Sequence, residues 1–165
     1  MNQIDKNFKW FEERIYIQDE QNFKTYLKLK GIERIKKAYF ILEPHLKKVT
    51  DKDISDVYKY DLRLRRNIYY YITMFEVYLR AQLSNNFTKD DFDLNKYDLA
   101  SGESLFEILE ESTFGKLIGM YEDLTTSQID IIMSFDMDKS LFIRRLVAVK
   151  DLRNAVFHHN FLLDF

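Results

Sequence analysis

The chain contains no cysteine, which excludes disulfides, thiolate metal sites and a cysteine nucleophile. Proline occurs once, at Pro44, and glycine four times. So few turn-formers favour long helices over a many-stranded sheet. No apolar run approaches the roughly 18 residues needed to span a bilayer. The N-terminal Met1-Asn2-Gln3-Ile4-Asp5-Lys6 has no signal-peptide core, so a cytoplasmic protein without membrane contact is expected. A large charge excess is also missing. The net charge of −2 argues against a broad nucleic-acid-binding surface. There is no phosphate-cradling glycine loop, no zinc-ligand histidine pair and no serine elbow. Asp91-Phe92-Asp93-Leu94-Asn95 imitates the start of a calcium loop, but Lys96 stands where its glycine belongs and Gly102 where its glutamate belongs. No metal and no cofactor are expected.

What is present is apolar and aromatic. Fourteen Phe and eleven Tyr among 165 residues make disorder improbable and suffice for one domain, 1–165, with a real core. Charges are segregated. Lys24 to Lys48 is basic, Arg63, Arg65 and Arg66 follow, and Arg144, Arg145 and Lys150 recur, whereas Glu103 to Asp123 is acidic. This pattern fits either solvated helix faces or a local basic groove.

The periodicity predicts an all-α protein. Helices are expected over about Lys6 to Ile17, Gln21 to Leu42 (ended by Glu43-Pro44) and Ser55 to Asn85. A loop follows to Ser101. Ser104 and Glu107 form a capping box for a helix reaching Leu124, Thr126 or Ser127 caps a short segment to Phe135, and Asp136 or Asp138 caps a final helix to Phe157 or His158. Gly115 and Gly119, in a GxxxG, suggest close helix packing.

Two helices carry charge where apolar residues belong. At about 100° per residue, Phe142, Leu146, Val149 and Val156 form one stripe of the final helix, and Arg153 falls inside it, about 20° from Phe142. A buried cation needs an anion or several acceptors. The long third helix offers one. Leu64, Ile68, Ile72, Phe75, Leu79 and Leu83 make its core stripe, and Arg65, Tyr69, Glu76 and Arg80 line one flank. Glu76 and Arg80 are an i,i+4 pair able to hold Arg153, whether as part of a site or only to fix helix register. Beyond Arg153 come Asn154, His158 and His159. A fixed guanidinium and a histidine that titrates near neutrality suit phosphate-directed acid/base chemistry. On a regular helix Arg153 and His158 point about 140° apart, so joint action needs the helix to end or bend near Phe157. Tyr69-Tyr70-Tyr71 suits either base stacking or packing.

Arg153-Asn154-Ala155-Val156-Phe157-His158-His159 resembles the R-N-x-x-x-H-H signature of HEPN domains, in the form seen in the Abi-like (abortive infection) family of bacterial phage-defence proteins. Asp61-Leu62-Arg63-Leu64-Arg65, followed by Phe75-Glu76-Val77-Tyr78-Leu79-Arg80, is similar to that family's D-x-x-L-R … E-I-x-L-R helix. Phe114-Gly115-Lys116-Leu117 resembles the short element between them. The resemblance spans roughly 58–160, taken as the HEPN core, while 1–57 matches the pattern poorly and reads as an N-terminal helical extension.

The resemblance implies a bundle of four core helices that forms a homodimer, its interface including the final helix near Asn154 and His158. It implies a metal-independent endoribonuclease, a toxin of toxin–antitoxin or phage-defence type, in which the RNA 2′-hydroxyl attacks the adjacent phosphate to leave a 2′,3′-cyclic phosphate. His158 would serve as general acid or base, Arg153 would stabilise the transition state, and Asn154 would orient either group. His159, Glu76, Arg80 and Arg65 would be accessory. An RNA or protein antitoxin is an expected regulator. Asn160 stands where members silenced by tyrosine modification carry the tyrosine, which disfavours that route. The alternative is a non-catalytic HEPN-like module that binds RNA or a protein.

Overall fold

The computed structural model describes residues 3–99, 104–132, 137–158 and 161–164. Among them are eight α-helices and no strand, an all-α fold: α1 (Gln3–Glu12), α2 (Glu20–Lys30), α3 (Ile32–Leu42), α4 (Asp51–Asn86), α5 (Leu105–Glu110), α6 (Phe114–Asp123), α7 (Thr126–Ile132) and α8 (Lys139–Phe157). No helix among the described residues is long and apolar enough to cross a membrane.

The expected helix from Gln21 to Leu42 is two helices, broken at Gly31. That residue adopts φ +83°, which side-chain-bearing residues rarely take, and a Cβ there would meet nothing within 4 Å. The constraint is therefore conformational, not steric. The Gly31 N–H closes α2 on the Leu27 carbonyl, and its own carbonyl accepts from Ile35 to start α3.

α4 begins four residues earlier than the periodicity suggests. Thr50 Oγ1 accepts from the Asp53 amide and the Asp53 carboxylate accepts from the Thr50 amide. This reciprocal cap uses aspartate in place of the usual glutamate. The capping box at Ser104 and Glu107 forms as expected. Its helix, however, ends at Glu110, and Thr113 caps a new one by accepting from Lys116. Asp138 caps α8, while Asp136 lies outside the described residues. Of the two GxxxG glycines only Gly119 is tightly approached, and by an aromatic ring: a Cβ there would come within 3.1 Å of Tyr97.

Two compact units emerge. The first comprises residues up to Asn67 together with those from His158 onward; the second runs from Ile68 to Phe157. α4 contributes to both. The first unit's core gathers Phe8, Phe11, Phe23, Leu27, Ile35, Ile54, Tyr58 and Phe161. The second unit's core gathers Leu79 and Leu83 of α4 with Leu109, Leu117, Tyr121, Phe142 and Leu146. Burial of Tyr121 raises its pKa well above the ordinary value, and its hydroxyl donates to the Leu79 carbonyl.

Candidate functional site

Within the second unit α4 and α8 bring Glu76 and Arg153 together. Glu76 lies on the flank of α4's core stripe, and Arg153 lies on the stripe that buries Leu146 and Val156. The Arg153 Nε donates to Glu76 Oε1 at 3.3 Å. The other carboxylate oxygen accepts from Arg80 Nη1 at 3.4 Å. The side chains of Glu76, Arg80 and Arg153 are 13%, 18% and 31% exposed, so the pairing is screened by solvent far less than an open helix-surface pair. Two cations and one carboxylate leave one positive charge in excess.

The two arginines differ in what remains free. Arg80 also donates from Nε to the Leu109 carbonyl at 2.9 Å and from Nη2 to the Ser112 carbonyl at 3.0 Å. Its guanidinium thus ties down the segment between α5 and α6 with all three nitrogens engaged, meeting the Ser112 carbonyl and a Leu109 carbonyl that also accepts from the Ser112 amide and hydroxyl. Arg153 is held only through Nε, with its guanidinium 4.2 Å over the Phe157 ring. Among the described residues its two terminal nitrogens make no hydrogen bond, which leaves them available to an anion. Phe157 in turn packs against Tyr69, ring centres 5.1 Å apart.

The remaining expected site residues fall as follows. Asn154 is half-buried on α8, and its side chain makes no hydrogen bond among the described residues. α8 ends at Phe157, one of the two ends expected, and His158 is exposed in the turn that follows. His159 lies outside the described residues. Arg65 belongs to the first unit, where it pairs with Asp61 at 2.7 Å. Both are buried.

Asp61 does more than the sequence suggested. Its second oxygen accepts from the Leu162 amide at 2.7 Å, and Phe161 packs on Tyr58. The apolar run after His159 is thereby fixed in the first unit's core. The sequence also missed the Tyr69–Phe157 pair. Its signal was present: Phe157 is i+4 from Arg153, and Tyr69 is i−7 from Glu76, about 20° away around the helix.

The sequence profile of the family described as Abi-like protein matches residues 21–105, just over half of the chain. The chain belongs to the Abi-like protein family. The Abi-like match takes in α2, α3 and the whole of α4, including Asp61, Arg65, Glu76 and Arg80, and ends before α8. No curated protein and no solved structure matches the chain.

Proposed function

We propose that the chain is a metal-independent endoribonuclease of HEPN type, a homodimeric toxin or phage-defence effector. The observation that carries this reading is Arg153. It is anchored at Nε by a carboxylate, and among the described residues both terminal nitrogens are open, which suits a phosphate's oxygens. Membership of the Abi-like family supports the defence role.

In the proposed reaction the ribose 2′-hydroxyl loses its proton to a base and attacks the adjacent phosphorus. The P–O5′ bond breaks, the leaving oxygen takes a proton, and a 2′,3′-cyclic phosphate remains. His158 is the proton-moving group. Arg153 stabilises the charge that builds on the non-bridging oxygens. Asn154 orients the phosphate, and Glu76 positions Arg153.

The dimer is supported by α4. Tyr70, Tyr71, Met74, Val77 and Tyr78 are all exposed. They share one side of the helix, uncharged from Tyr70 onward, with Tyr70, Met74 and Val77 at four- and three-residue spacing. An exposed apolar stripe of this kind marks an interaction surface, and self-association places two copies of it face to face. Light scattering at tens of micromolar should report a dimer, and Met74→Glu with Val77→Glu should give a monomer.

The chemistry is tested on single-stranded RNA in EDTA. The protein should cut RNA, spare DNA of the same sequence and leave cyclic-phosphate ends. His158→Ala and Arg153→Ala should each abolish cutting, and His159→Ala should cost less activity. Wild-type cleavage by His158→Ala, or a requirement for added magnesium, would replace this reading with that of a non-catalytic RNA- or protein-binding module.

A further inference from the structure

We infer that Tyr69 and Phe157 form a stacking platform for one nucleobase of a single-stranded RNA, beside the phosphate position at Arg153; this rests on the RNA-directed reading above. Both rings are large, packed edge to face with their planes 65° apart, and yet 43% and 44% exposed, so a base stacks on one ring and abuts the other. Such rings normally find a place in the core, and here they border a charge network instead.

Helix phase separates the three consecutive tyrosines. Tyr69 lies about 20° from Glu76 around α4, whereas Tyr70 and Tyr71 lie about 120° and 140° from it on its two sides. Only Tyr69 therefore belongs to the Arg153 side. The other two fall on the apolar stripe.

Phe157 reaches the same place from α8. The Arg153 guanidinium lies 4.2 Å over its ring, held there by the Nε bond to Glu76. A cation whose terminal nitrogens make no hydrogen bond among the described residues thus touches Phe157, one ring of a half-exposed aromatic pair. A nucleotide carries its phosphate and its base on one sugar, so it can meet both at once. A single-stranded chain can do this because its bases are free to splay onto aromatic side chains. Every base has a π-face, so the platform accepts any of the four.

The test uses the full chain carrying His158→Ala, so that bound RNA is not cut, and fluorescence anisotropy in EDTA. Two probes are compared: a short labelled single-stranded RNA and an abasic ribose-phosphate oligomer of the same length. In that background Tyr69→Leu and Phe157→Leu should each weaken binding of the RNA about tenfold. Affinity for the abasic oligomer should change less than twofold. Tyr69→Phe should bind RNA like the parent, because stacking does not need the hydroxyl.

Unchanged RNA affinity in both leucine variants overturns the platform and leaves the ribonuclease reading intact. An equal loss for both probes overturns it as well, since the rings would then act only by holding Arg153. A change in oligomeric mass without a change in RNA affinity reassigns the pair to a protein interface. A parent that binds no RNA overturns both readings together.

Discussion

Glu76 and Arg153, 77 residues apart in the chain, meet at 3.3 Å through Oε1 and Nε. The same carboxylate gives its other oxygen to Arg80, which makes Glu76 the shared anchor of two helices' cations. Replacing it by alanine removes the anion from both guanidinia. Glu76→Ala should cost about 2 kcal/mol, a melting temperature about 4–8 °C lower, and should also lower cleavage. Arg153→Ala should cost about 1 kcal/mol or less, because Arg80 still satisfies Glu76. A larger loss for Arg153→Ala than for Glu76→Ala in thermal melts contradicts this account.

Arg80 closes the gap between α5 and α6 by donating to the Leu109 and Ser112 carbonyls. A lysine's three donors sit on a single nitrogen and cannot reach the three acceptors that the spread of a guanidinium meets here. Arg80→Lys should therefore destabilise by about 1–2 kcal/mol, with faster amide exchange in α5 as the local readout. Exchange rates in α5 equal to wild type would show that the carbonyls are satisfied without it.

Asp61 fixes Arg65 and the Leu162 amide at once. Breaking a buried pair of this kind is severe, and Asp61→Ala should cost about 3 kcal/mol. Leu162→Pro, which deletes the donated N–H, should cost more than Leu162→Ala. Denaturant melts that rank the two Leu162 variants the other way would assign the effect to side-chain packing.

The Lys96 ammonium, followed by the Tyr97 hydroxyl, holds the Asp123 carboxyl below its ordinary value of 3.8. A depressed carboxylate contributes stability above its unfolded pKa and loses it as the pH falls through the folded value. Asp123→Asn should therefore melt below wild type at pH 7, and the gap should shrink as the pH drops below about 4. A gap that stays constant from pH 7 to pH 3 removes Asp123 from the acid response.

Much of this was legible in the residues. The stripe on the final helix and the flank on the long one follow from periods of 3.6, and they made Glu76 a candidate for the partner that Arg153 meets. Capping at Ser104 and Asp138 follows from local hydrogen-bond chemistry. The rest was decided by contacts distant in sequence. The Leu109 carbonyl accepts from Ser112, three residues on, as well as from Arg80, 29 residues away, and only the local part of that break could be read from the residues. Nor does the apolar run after Asn160 announce that Asp61 will receive the Leu162 amide. Gly31 was readable in principle, as an isolated glycine between two helical patterns; its unfilled surroundings show that only its φ mattered.

One excess positive charge around Glu76 has a consequence for ionic strength. Affinity for a single strand falls with salt in proportion to the phosphates neutralised, with a logarithmic slope of about −0.7 for each. If Arg153 is the main phosphate contact, a tenfold rise in salt should weaken binding only about fivefold. A surface making six to ten phosphate contacts would lose roughly four to seven orders of magnitude over the same range. On the proposed reading, a grip built on one anchored guanidinium and a pair of rings should therefore hold RNA at salt concentrations that release a protein relying on many phosphate contacts.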